Sequence, residues 1–138
     1  MLRRVAGLVA VVLAGLLLSP PTAAAESRRI VAVGDLHGDW DAWQAIARAA
    51  GLVDRRGRWA GGPTVLVQMG DIVDRGPDSL KIIEQLKRLQ RQAPRAGGQV
   101  IVLVGNHEAM MMTGDFRYVH PGEYAAFTTR SSERLRDA

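Results

Sequence analysis

The chain has 138 residues, 47% hydrophobic and 23% charged, with a formal net charge of +4 and no cysteine. That length holds one modest domain around one core and leaves no room for two large lobes; the lack of cysteine excludes disulfides, thiolate chemistry, cysteine-based zinc sites and lipidation of an N-terminal cysteine, and permits either redox compartment. The first 25 residues hold 17 apolar residues and two arginines, so the rest carries 16 Lys and Arg against 14 Asp and Glu, scattered rather than gathered on one aromatic-rich stripe, which argues against a nucleic-acid partner.

In chain order, residues 1–25 have the layout of a secretory signal peptide: a basic start at Met1 to Arg4, an apolar run from Val5 to Leu18, then Pro20-Pro21 and Ala23-Ala24-Ala25. The run is shorter than the roughly 20 residues that cross a bilayer as a helix. Cleavage after Ala25 and export, to the periplasm or outside the cell, are therefore expected, with no stable membrane anchor left. An uncleaved anchor is the alternative.

Residues 26–138 then read as the folded domain. Apolar runs rich in Val and Ile at Ile30 to Val33, Thr64 to Met69 and Val100 to Val104 lack polar alternation, which predicts parallel strands buried on both faces by helices. Between the first two, Trp40, Trp43, Ala47 and Ala50 recur at helical spacing, with Asp39 as a cap and Gly51 as a stop. Residues 54–63 read as a surface loop or short hairpin. Ile82, Ile83, Leu86, Leu89 and Ala93 mark a second helix, with Pro77 and Asp78 at its start and Pro94 at its end. The three Met at 110–112 read as a packed helix start, His120 as a surface-loop histidine, and the stretch from Gly122 to Ala138 as a weaker helix. The order is β-α-β-α-β, with right-handed crossovers and ligand-binding loops on one sheet edge.

Those loops carry the chemistry. The first holds Gly34-Asp35-Leu36-His37-Gly38: Asp35 and His37, two apart on an extended chain, can bring oxygen and nitrogen to one cation. A cap or a hydrogen-bonded histidine would explain the pair as well. The second holds Gly70-Asp71-Ile72-Val73-Asp74-Arg75-Gly76. Asp71 matches the place of Asp35 and can bridge two cations, while Asp74-Arg75 is either an ion pair at a turn or a fork for phosphate oxygens. The third holds Gly105-Asn106-His107-Glu108, where Asn106 offers a neutral oxygen and His107 an imidazole that can take up or give a proton.

Together the three blocks, GDxHG, GDxVDRG and GNHE, resemble the metallophosphoesterases (calcineurin-like superfamily), specifically the phosphoprotein phosphatase family in its exported bacterial type, over residues 30–112. The resemblance implies an α/β fold: the β-α-β-α-β half of a two-sheet αββα sandwich. It also implies two divalent metal ions, Mn, Fe or Zn. Asp35 and His37 would hold the first, Asp71 would bridge, and Asn106 would hold the second and face substrate. Arg75 would grip the phosphate, and His107, oriented by Asp74, would protonate the leaving group while a metal-bridged hydroxide attacks. Substrates implied are phosphorylated proteins or small phosphoesters.

In that family two further histidines complete the second metal site. Here His37, His107 and His120 are the only histidines, so the second site is expected to be incomplete and the chain to be the N-terminal part of a longer phosphatase, with apolar sheet surface exposed. Two other functions stay open: a dinucleoside polyphosphate hydrolase, which shares these loops, and an inactive metal- or phosphate-binding remnant.

Overall fold

Each apolar run becomes a short strand, and the first two are each followed by a helix that carries the chain back to start the next. The computed structural model describes residues 27–128; the leader at 1–25 and the end of the expected C-terminal helix lie outside the described residues. Strands β1 (Ile30–Val33), β2 (Val65–Gln68) and β3 (Gln99–Val102) form one parallel sheet in the order β1-β2-β3. Ile30 pairs with Val65 and Val65 with Gln99, and the register holds to Val33, Gln68 and Val102. The strands therefore end level, and their exit loops start side by side.

Helix α1 (Trp40–Ala49) begins where Asp39 Oδ1 accepts from the Ala42 N–H at 2.9 Å, which satisfies one of the donors a helix start leaves free. Helix α2 (Ser79–Gln92) passes into a 3-10 turn at Ala93–Ala96, because Pro94 has no N–H to continue the α-helical ladder. Trp43 and Ala47 of α1 and Ile82, Leu86 and Leu89 of α2 pack with Val33, Leu66 and Val100 of the sheet as the core. Ile82 is fully buried. Trimming it with Ile82→Val is expected to cost about 1 kcal/mol, read as a lower urea midpoint at unchanged slope. Residues 54–63 hold a minimal hairpin, with Val53 bridged to Trp59.

The expectation that both faces of the sheet are covered holds for one face. Val31, Val33, Leu66, Val100 and Val102 meet the core under α1 and α2, while the alternate residues Ile30, Ala32, Val65, Val67 and Ile101 form the other face, on which Ile30 is 68% exposed. A pleated strand has two faces, and the described helices cover one. Among the described residues, no helix covers the second face of the sheet. No helix among the described residues is long and apolar enough to cross a membrane.

Two local readings are corrected. Helix α3 (Asn106–Met112) starts at Asn106, so the Met run forms its far end, and Met112 is 81% exposed; the run packs no helix start. His120 is half-buried rather than a plain surface-loop residue: it precedes helix α4 (Pro121–Phe127), and its Nδ1 accepts from the Gly122 N–H at 3.0 Å.

Candidate functional site

Backbone hydrogen bonds lace the first two exit loops together. The Leu36 and His37 N–H groups both donate to the Asp71 carbonyl, at 2.9 and 3.0 Å, and the Gly38 N–H donates to the Ile72 carbonyl at 2.7 Å. The fully buried Gln68 ends β2 by binding the backbone of Gly70 through both its oxygen and its nitrogen, each at 2.8 Å. Two glycines are set by close approach. A Cβ on Gly105 would sit on the Asp71 carboxylate, and one on Gly38, where φ is +66°, would meet the Gly76 backbone.

Glu108 is the residue that reading the sequence missed. Its Oε2 accepts from the N–H groups of Asp71 (2.7 Å) and Gly105 (2.8 Å), and its Oε1 from those of Ile72 (2.7 Å) and Val73 (3.2 Å). One carboxylate therefore clamps the second loop to the third. The available signal was local: Glu three residues after the residue preceding a helix is half of a capping box. Its reach to the loop after β2 has no sequence mark.

The clamp fixes an unusual backbone. Among the described residues, the non-glycine residues with positive φ are His37 (+44°), Asp71 (+53°), Asp74 (+71°) and Arg75 (+66°). All four belong to the three-block signature. Each such residue costs of order 1 kcal/mol or more, a cost that clusters where side chains are aimed at a ligand.

The side chains converge accordingly. Ligand atoms of His37, Asp71 and His107 lie within 4.8 Å of one another, and the two imidazoles meet edge to face at 4.6 Å between ring centres. His37 Nδ1 bonds the Val73 carbonyl at 3.0 Å, so it carries the proton and leaves Nε2 as a lone pair. That Nε2 is buried without a hydrogen-bond partner, and Asp35 Oδ2 stands 3.5 Å away. A bare imidazole nitrogen beside carboxylates is a donor set for a divalent cation, and it suits Mn, Fe and Zn alike.

His107 is held differently. Arg75 Nη2 lies 3.1 Å from its Nε2, and Asp74 Oδ2 lies 2.7 Å from its Nδ1. A guanidinium only donates, so Nε2 accepts and Nδ1–H donates to Asp74. Both ring nitrogens are engaged. Asp74 is fully buried, and its carboxylate faces His107 rather than Arg75. The backbone N–H of His107 donates to Asp71 Oδ1 at 2.9 Å. Tyr118 completes this corner: its carbonyl accepts from the Arg75 N–H at 2.9 Å, and its ring lies 5.3 Å from that of His107. Nearby, Arg117 is committed to Asp115 at 2.7 Å, a bond that holds the Asp115 carboxyl below its ordinary value. Asp35, Arg75 and Asn106 are the exposed members of the expected site residues. Asp35 has a side chain 65% exposed, and Asn106 lies exposed in the first turn of α3.

The family model described as calcineurin-like phosphoesterase matches residues 28–137. The chain belongs to the calcineurin-like phosphoesterases. Members of that family use divalent metal ions, which agrees with the His37, Asp71 and His107 cluster. Among curated relatives, this phosphoesterase is 52% identical over 91 residues to Shewanella-like protein phosphatase 2 of Arabidopsis thaliana, covering 66% of this chain and 23% of that one. It is 38% identical over 99 residues to Shewanella-like protein phosphatase 1 of Plasmodium berghei, covering 72% and 27%. A crystal structure of a cold-active protein-tyrosine phosphatase from a psychrophilic Shewanella matches with a TM-score of 0.68 at 38% identity, over 72% of this chain and 30% of that one. The chain spans between a fifth and a third of the length of these relatives.

Proposed function

We propose that this chain carries metal-dependent phosphomonoester hydrolysis on phosphorylated proteins or small phosphoesters, and that it is exported after loss of residues 1–25. The observation that supports it most is the contrast between the two histidines: His37 presents a bare Nε2, whereas both nitrogens of His107 are already bonded. On this reading His37 is a ligand and His107 a proton donor. The relatives' names, protein phosphatases in each case, favour phosphoester substrates over dinucleoside polyphosphates.

Asp35, His37 and Asp71 would hold one divalent ion, and Asn106 and Asp71 offer oxygens to a second. Such ions supply Lewis-acid polarisation and neutralise phosphoryl charge. The chain's own groups do the rest. Arg75 spends one nitrogen on His107 and keeps a fork for two phosphate oxygens. When phosphate draws that fork away, His107 Nε2 is free to take a proton from water and pass it to the leaving oxygen. The Asp74 carboxylate at Nδ1 keeps the ring oriented and balances its charge while both nitrogens are protonated.

The test is hydrolysis of p-nitrophenyl phosphate by the full chain loaded in turn with Mn, Fe or Zn. Metal-dependent release of p-nitrophenol, lost on chelation and unaccompanied by cleavage of dinucleoside polyphosphates, is the expected result. A chain that binds metal without turnover, or cleaves only the dinucleotides, overturns the proposal.

A further inference from the structure

A second set of arginines gathers away from the histidines. Arg48 from α1, Arg55 and Arg56 from the hairpin and Arg88 from α2 line one cavity of about 230 Å³. None of the four is in an ion pair among the described residues. Asp54, the nearest acid in sequence to Arg55 and Arg56, is taken by Arg58: the Arg58 backbone and side chain both donate to it, at 2.9 and 3.0 Å, and hold its carboxyl below the ordinary value. Glu84 stands one turn before Arg88 on α2 and shares a neighbouring surface with Lys87, Arg88 and Arg91, without forming an ion pair among the described residues. Like charges left unpaired around one hollow repel one another, and an anion relieves that repulsion.

The floor of the cavity is built rather than incidental. Gln44 and Gln85 line it, 6% and 1% exposed. Gln85 Oε1 accepts from the Trp43 indole N–H at 2.8 Å and from Gln44 Nε2 at 2.6 Å. An indole nitrogen only donates, so the amide is fixed with its oxygen toward Trp43 and its nitrogen toward the hairpin. Gln85 Nε2 then donates one hydrogen to the Gly57 carbonyl at 2.9 Å and has a second to give. That bond pins the hairpin bearing Arg55 and Arg56 against α1 and α2. Gln44 Oε1 accepts from Arg48 at 3.2 Å, which steadies a third arginine.

We propose that this cavity is a non-catalytic binding site for a phosphate group. Four guanidinium forks and one amide N–H match the several acceptor oxygens of a phosphate, and guanidinium binds such oxygens in pairs. Trp40 forms a wall of this cavity and also of the groove that begins at His37 and Arg75. A ligand with two phosphates on one segment can thus engage both places. The phosphate has two sources: free phosphate, or a second phosphorylated residue of a protein substrate.

The test is amide and indole NMR on the full chain, titrated with inorganic phosphate and with a peptide carrying one or two phosphoserines. Phosphate is expected to move the Trp43 indole and Gln85 side-chain signals in the native chain and equally in Arg75→Gln. The double variant Arg55→Gln, Arg88→Gln, altered at exposed positions, is expected to bind about tenfold more weakly, the scale of a lost charge-assisted contact. Tighter binding of the doubly phosphorylated peptide than of the single assigns the site to a phosphorylated segment. Equal peptide affinities with a phosphate response at Trp43 assign it to free phosphate. Silence at Trp43 and Gln85, or binding abolished by Arg75→Gln and untouched by the double variant, overturns the proposal. No readout depends on turnover, so failure here is separate from failure of the catalytic reading.

Discussion

Glu108→Ala is expected to destabilise the chain by about 4 kcal/mol or more, because four half-buried N–H groups, those of Gly105, Asp71, Ile72 and Val73, lose their acceptor at once. Hydrogen bonds to a charged acceptor contribute about 1.5–3 kcal/mol each, and partial exposure lets water recover some of that. The total is large against the roughly 5–15 kcal/mol by which domains are stable. The loss also falls on Asp71, whose backbone is already strained. Glu108→Gln keeps one oxygen and turns the other into a donor facing donors, so an intermediate loss is expected. Urea denaturation measures both variants, and hydrogen exchange at the Ile72 and Val73 amides shows whether the clamp is what opened. An alanine variant within about 1 kcal/mol of the native chain, the range of an ordinary substitution, would remove the clamp from the account.

The fold was largely legible because its signals are local. Val- and Ile-rich runs, the Asp39 cap and the Pro94 break each act within a few residues, and parallel pairing follows from the helix between consecutive strands. The convergence of the three loops was legible for a related reason: strands in level register must release their loops together. What stayed hidden depends on distant partners. Glu108 reaches Asp71, Ile72 and Val73, 35 to 37 residues away, and nothing near position 108 announces that. The open sheet face was half visible. An unbroken apolar run indicates that both sides can be buried, not that a helix among the described residues covers each, and the exposed Ile30 and Ala32 show the difference. The Met run misled because apolar residues at a short helix's end pack only if something lies over them, and Met112 has little above it. The cavity floored by Gln44 and Gln85 joins α1, the hairpin and α2, so no single stretch of sequence outlines it.

Asp71→Asn separates charge from shape at the centre of the candidate site. Asparagine keeps the Oδ1 that accepts from the His107 N–H at 2.9 Å, and it tolerates the left-handed backbone of position 71, where φ is +53°. The fold and the clamp should therefore survive, with an unchanged denaturation midpoint. The lost negative charge is the one carboxylate within the cluster of His37, Asp71 and His107. Metal affinity is expected to fall by about 100-fold or more, since even outer groups around a metal are worth about 10–100-fold, and turnover to fall by about a thousandfold. His107→Asn supplies the contrast: metal binding retained, turnover lower by about 100-fold or more, as for a missing general acid. Metal titration by calorimetry beside the phosphatase assay reads both quantities. If His107→Asn loses metal as severely as Asp71→Asn, then His107 is a ligand in the working protein, and its bonds to Asp74 and Arg75 belong to the metal-free arrangement. Retained metal with lost turnover leaves the proton-donor role as the one consistent with a ring held at both nitrogens.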